Sequence, residues 1–212
     1  MSIQALQRIV DLLRTQELQA KYAGLIDIKT HPDGNLVLLN YTEECQFKGA
    51  WDDVTRHCRG LMVDTNTWEI VALPFQKFFN LNEKAESALD ALPVEPFSVF
   101  EKLDGSLGIT YRRGDAIALA TRGAFDSERA VQGTVFLNQQ INTAHIPDHL
   151  TCLFEIIISS TASVSHYDFD GLVLLSAFDR RTGRELDWPD IVQLADRLGC
   201  RAANVFPFGT LH

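Results

Sequence analysis

Between residues 25 and 122 the chain rises repeatedly into a short apolar run and breaks at a turn signal, a rhythm that favours strands paired through tight turns. "LIDIKT" and "NLVLLNY" flank "HPDGN", whose Pro-Asp-Gly core sets up a hairpin, and "RGLMVD" and "WEIVAL" flank Thr65-Asn66 in the same way, with Pro74 stopping the second strand. "FSVFEKL", "SLGITYR" and "AIALATR" read as a meander turned at Asp104-Gly105 and at Arg113-Gly114-Asp115; "TCLFEIII" and "GLVLLSAFD" add two later strands. The sheet expected from these signals is mainly antiparallel.

Helical spacing appears at the edges of this pattern. Ile3, Leu6, Ile9, Val10 and Leu13 make an amphipathic helix over about residues 2–21 behind a Ser2 cap. A short helix is expected at 83–91, another over 126–140 behind an Asp or Ser cap, and a last one from Asp187-Trp188-Pro189 to Leu198 with Gly199 as its stop. No repeat or linker interrupts the 212 residues, so the expectation is a single α+β domain spanning 1–212.

Composition narrows function by exclusion. At 46% hydrophobic residues the chain can bury a sizeable core, and no apolar run reaches membrane-spanning length or resembles a signal peptide, so a soluble, cytoplasmic protein is expected. Cys45, Cys58, Cys152 and Cys200 form no CxxC pair and read as reduced thiols; the adjacent His57-Cys58 pair is expected not to ligate metal. A net charge of −9 argues against a general nucleic-acid coat and leaves room for a local basic groove.

Lys102 stands out within "SVFEKLDGSLGITYRRGD". An amine attacks only when deprotonated, and apolar neighbours at the strand end would desolvate this one; Gly105 would let a ligand approach the backbone, and Asp104 could orient a hydroxyl or the lysine. Taken alone, a lysine before Asp-Gly is an ordinary solvated hairpin residue. It has company, however: Arg59 at the head of "RGLMVD", Lys77 among Phe75, Phe78 and Phe79, Arg122 ending "ATR", and Glu155 inside the apolar "CLFEII". A carboxylate there is costly unless paired, hydrogen-bonded or metal-bound.

The ordered set Arg-Gly, "KFFNLNE", Lys-x-Asp-Gly-Ser, a basic residue before glycine, and "FE" before apolar residues resembles the ATP-dependent RNA ligases of the phage T4 RNA ligase 1 type, over roughly residues 35–198. These are covalent nucleotidyltransferases, alongside DNA ligases and capping enzymes. The resemblance implies an ATP-grasp-like ligase adenylation fold in which Lys102 takes AMP from ATP. AMP would then pass to a 5'-phosphate RNA end, which is joined to a 3'-hydroxyl. It also implies Mg²⁺ or Mn²⁺, phosphate contacts from Arg59 and Lys77, an aromatic near the nucleotide at Phe79, nucleotide contacts from Asp104, Gly105, Arg122 and Tyr167, and Glu155 acting on the ribose or on a metal through water. "KFFNLNE" favours RNA over DNA ligation or GTP-dependent capping. Arg59, Lys77 and Arg122, with Arg112 and Arg113, are expected to form the basic groove for RNA phosphates.

Two departures from the family pattern stand beside this. Ala162-Ser163 falls where an Asn-Arg pair is usual, and the Glu-Gly and Lys-x-Lys strands expected after Leu198 do not appear before His212. The expectation is therefore a C-terminally incomplete adenylation domain, completed by a further segment or a partner, with a non-catalytic or partner-dependent nucleotide- or RNA-binding remnant as the alternative.

Overall fold

A computed structural model describes residues 3–161 and 166–206. The opening helix comes in two pieces, α1 (Ile3–Arg14) and α2 (Glu17–Lys21), because the chain turns at Gln16, which adopts the left-handed φ of 62°. The Thr15 hydroxyl folds back onto the Asp11 carbonyl at this point and competes with helix continuation. The expected Ser2 cap lies outside the described residues.

The first sheet is a meander, β1 (Ile26–Thr30), β2 (Leu36–Tyr41), β3 (Arg59–Asp64) and β4 (Ile70–Ala72), antiparallel throughout. Both expected hairpins are present. Between β2 and β3 lie two short helices that periodicity did not signal, α3 (Glu43–Lys48) and α4 (Asp53–His57). Their caps were nonetheless written in the sequence: Thr42 accepts from the Cys45 amide, and Asp52 and Thr55 form a reciprocal capping box.

The expected three-strand meander around Asp104-Gly105 does not form. Strand β5 (Val99–Phe100) pairs instead with β11 (Val205–Phe206), leaving β6 (Ser106–Arg113) between β7 (Ala116–Ala120) and β8 (Leu150–Ile157). Strands β9 (Gly171–Asp179) and β10 (Arg184–Glu185) complete a five-stranded sheet in the order β10-β9-β8-β6-β7. The helix expected at 83–91 is two 3-10 turns, Ala85–Ser87 and Leu89–Ala91.

Helix α5 (Glu128–Gln140) is capped by Ser127, and α6 (Trp188–Leu198) ends at left-handed Gly199, as expected from sequence. These two helices cover one face of the larger sheet through Phe136, Leu137, Ile191 and Leu194 against Phe154, Ile156 and Leu174. The other face packs on α1 and the smaller sheet through Leu6, Ile9, Leu38, Leu61, Met62, Ile109 and Leu153. Glu155 follows Phe154 in β8 and so shares the inter-sheet face with Leu153; in register it sits opposite Leu107. Among the described residues no helix is long and apolar enough to cross a membrane.

Candidate functional site

The segment 102–105 is a connector held from the side by its neighbours. Leu103 is buried with Ile157 and Val173, which sends the flanking Lys102 and Asp104 away from that cluster. The Asp104 amide donates to the Tyr167 hydroxyl at 2.6 Å, and the Gly105 amide donates to Glu155 Oε1 at 2.9 Å. These side-chain acceptors take backbone donors that a two-residue hairpin would have paired internally. Glycine is required at 105, since a Cβ there would lie 2.4 Å from the Ile156 carbonyl oxygen and 3.0 Å from Glu155 Cγ.

Glu155 is half-buried, and burial pushes its carboxyl up from 4.5 to about 7. Gly105, Lys102 and Arg59 pull it down and Asp104 pushes it up, so all four lie within electrostatic reach of this one group. The β8–β9 register shifts between Leu153 and Phe154, immediately before it. Because Glu155 binds its proton more tightly folded than unfolded, the fold gains from it at acid pH and loses stability as pH rises from about 4.5 through 7. Glu155→Gln is therefore expected to stabilise the protein by about 2–3 kcal/mol at pH 8, at about 1.4 kcal/mol per pKa unit, and by little at pH 4.5. Paired thermal melts at the two pH values check this; a stabilisation independent of pH would contradict it.

A second glycine brings the cations together. Gly60 adopts φ 94°, and a Cβ on it would meet Ile109 Cδ1 at 2.5 Å and the Arg122 backbone at 3.2 Å, so β3 passes directly against the segment that follows β7. Arg122 donates to the Tyr41 hydroxyl at 2.8 Å and lies 4.9 Å from that ring's centroid. Arg59 lies 5.2 Å from the Phe78 centroid. Burial lowers its pKa; the Tyr41 and Glu155 groups oppose that and the Arg122 charge reinforces it. One guanidinium nitrogen, Arg59 Nη1, is buried without a protein partner. An unpaired buried donor of this kind is what an incoming phosphate oxygen would satisfy.

Lys77 and Phe79 stand one step away. The Lys77 ammonium is 4.7 Å from the Phe79 centroid and 5.6 Å from Trp51; Phe79 meets Trp51 edge-on, and Trp51 meets Tyr41 at 4.9 Å and 90°. They reach the Lys102 cluster through this ring series and Arg122. Tyr41 and Trp51 escaped the sequence reading because their importance comes from packing across β2 and the helix-containing loop, for which no motif exists.

Two expectations are corrected. Lys102 is exposed, so apolar neighbours in this chain do not desolvate it. Arg112 and Arg113 lie at the opposite end of β6 from Ser106, about 23 Å away at ~3.3 Å per residue, where Asp148 and Asp33 pair with them. They belong to no common groove with Arg59. The Ala162-Ser163 departure falls outside the described residues.

All four cysteines are free, and burial raises the pKa of Cys152 to about 12 and of Cys200 to about 11. Among the described residues no group of three or more His, Cys, Asp or Glu could hold a metal. A cavity of about 510 Å³ lies between α1, Trp68 and Arg180 and is lined by none of the candidate residues.

Two packed antiparallel sheets with a Lys-x-Asp-Gly segment entering beside the half-buried Glu155 make a fold similar to that of ATP-dependent ligases of known structure. An archaeal ATP-dependent RNA ligase superposes over 93% of this chain and 53% of its own, with a TM-score of 0.63 at 14% identity. The protein described as "Putative ATP-dependent DNA ligase from Aquifex aeolicus" superposes over 92% and 50%, with a TM-score of 0.60 at 16% identity. The RNA ligase family model of the T4 RNA ligase 1 type matches residues 57–212, and the chain belongs to that family. A Thermovibrio ammonificans protein described as "Putative RNA ligase" is 31% identical over 136 residues, covering 62% of this chain; the chain spans 36% of that relative's length.

Proposed function

We propose that the chain is the adenylation domain of an ATP-dependent RNA ligase, with Lys102 as the residue that accepts AMP. The observation that carries this reading is the convergence of Lys102, Asp104 and Arg59 on the half-buried Glu155, with Gly105 pressed against the backbone of the same strand. In the first step neutral Lys102 Nζ attacks the α-phosphorus of ATP, forming a P–N bond as the bond to pyrophosphate breaks. In this reading Arg59 and Arg122 hold phosphate oxygens and offset the charge that develops on them. The phosphoramide then passes AMP to the 5'-phosphate of an RNA, and attack by a 3'-hydroxyl joins the ends and releases AMP.

Glu155 and Asp104 fit a Mg²⁺ or Mn²⁺ held largely by substrate phosphates, since such ions keep only one or two carboxylates from the protein. When bound, the ion supplies charge neutralisation to the leaving pyrophosphate. A cation arriving beside Glu155 would draw its carboxyl back down from about 7, because opposite charge favours the ionised form.

The test is incubation of the folded chain with divalent metal and ATP labelled at the α-phosphate, followed by mapping of the modified peptide. Label is expected on the peptide containing Lys102, as an acid-labile P–N adduct. GTP and NAD used as donors separate ATP-dependent ligation from capping or NAD-dependent chemistry. Saturable ATP binding with no covalent label would instead identify a nucleotide-binding remnant.

A further inference from the structure

Three cations meet at a single ring. Lys77, Arg56 and Lys84 place their charged groups 4.7, 5.1 and 5.7 Å from the Phe79 centroid. In a chain of net charge −9 this is a local excess of cations, only one of which, Arg56, has a carboxylate partner among the described residues. Glu86 binds Arg56 at 2.6 Å, while Asp52 is used in capping α4 and in binding the Tyr22 hydroxyl. Among the described residues no ion pair involves Lys77 or Lys84. Crowded like charges repel, so the cluster gains from an anion that bridges them.

Exposed rings lie on the two segments that flank these cations. Phe47 is 94% exposed on α3, and that helix ends at Gly49, where an added Cβ would lie 3.4 Å from Lys84 Nζ. Phe78 is 62% exposed on the loop that carries Lys77. Cations that follow a phosphate backbone, interleaved with rings free to stack on bases, are the two elements by which proteins hold single-stranded nucleic acid.

We propose that Arg56 and Lys84, with Phe47 of the adjoining helix α3, hold a single-stranded end of the RNA substrate, the two cations on its phosphates and the ring on an unstacked base. The ligand's identity rests on the RNA ligase reading; the surface itself is distinct from the Lys102 cluster, to which Phe79, Trp51, Tyr41 and Arg122 connect it. A duplex is disfavoured because its bases are already stacked and present no free face.

The probe is a fluorescently labelled, 5'-phosphorylated single-stranded RNA, titrated with the full chain in the absence of ATP across a range of salt. Arg56→Ser with Lys84→Ser is expected to weaken binding at low salt by about tenfold or more. The log–log salt slope should become shallower by about 1.4, since each single-strand phosphate contact contributes about 0.7. Phe47→Ser, which alters a fully exposed side chain and leaves the fold intact, is expected to weaken binding by about fivefold or more with the slope unchanged. A charge-matched control, Arg14→Ser with Lys29→Ser, is expected to bind as the parent does. The proposal is overturned if the control loses as much affinity, if duplex RNA binds as tightly, or if the parent binds no RNA. It is equally overturned if ATP or pyrophosphate displaces the RNA and the double variant loses α-phosphate label, which would make this a nucleotide-phosphate site. Binding needs no ATP and self-adenylylation needs no RNA, so either reading can fail without obscuring the other.

Discussion

Lys102→Ala is expected to take up no AMP from labelled ATP and to melt within a few degrees of the parent protein. In the proposed reaction the covalent step requires a neutral amine at this position, and among the described residues Lys102 is the lysine whose charge acts on Glu155, whereas Lys77 and Lys84 lie at the Phe79 ring. Stability is expected to change little because the side chain is exposed and its charge acts mainly by favouring ionised Glu155. Removing that charge makes the glutamate costlier to ionise, so the small destabilisation should grow between pH 5 and pH 8. Lys102→Arg separates the two roles. It keeps the positive charge beside Glu155 but offers a guanidinium that does not deprotonate, so it should match the parent in melting and still take up no label. Residual labelling of either variant would move the nucleophile elsewhere.

Gly105→Ala is expected to destabilise the fold by about 3–5 kcal/mol and to abolish labelling although Lys102 is retained. The added methyl would sit 2.4 Å from the Ile156 carbonyl oxygen, and that oxygen belongs to a strand whose register with Ser106 is fixed on one side and with Leu172 on the other. Relief therefore has to come from the 102–105 connector. Moving the connector breaks the Gly105–Glu155 hydrogen bond and leaves a buried carboxyl with one partner fewer, so the overpacking cost of about 1–3 kcal/mol is joined by a desolvation cost of about 1–3 kcal/mol. For a chain of this size that corresponds to a fall of roughly 10 °C in melting temperature. Gly114→Ala is the comparison: no atom lies within 4 Å of its Cβ position, and only the strain of φ 58° is felt, so a loss of about 1 kcal/mol is expected. Equal effects at the two glycines would show that close approach to β8 is not what Gly105 provides.

Much of this fold was legible because the relevant signals are local. Pro-Asp-Gly and Arg-Gly-Asp turns act within a few residues, and so do the Ser127 cap and the left-handed Gly199 stop; each appears where the sequence places it. Gln16 shows the limit of periodicity. The apolar spacing of α1 carries on toward residue 21, yet a side-chain hydroxyl competing for a backbone carbonyl ends the helix early. The segment 83–91 failed for a related reason, since none of its residues becomes fully buried and no tertiary face rewards a regular helix.

The chemistry-bearing residue types and their order along the chain are properties of the sequence alone: Arg59, Lys77, the Lys102–Gly105 segment, Arg122 and Glu155 were all nameable without coordinates. Which of them share a site was decided by strand order. Diverting β5 to pair with β11 places the Lys102 connector against β8, where Gly105 can reach Glu155, and Gly60 lets β3 close on Arg122. The same register carries Arg112 and Arg113 out of reach at the far end of β6. Pairing of this kind depends on contacts distant in sequence and on backbone hydrogen bonds common to all residues, so no local pattern encodes it. Motif residues are fixed one position at a time, whereas the burial that lifts the Glu155 pKa and the ring series from Arg122 to Phe79 exist only once the two sheets have packed.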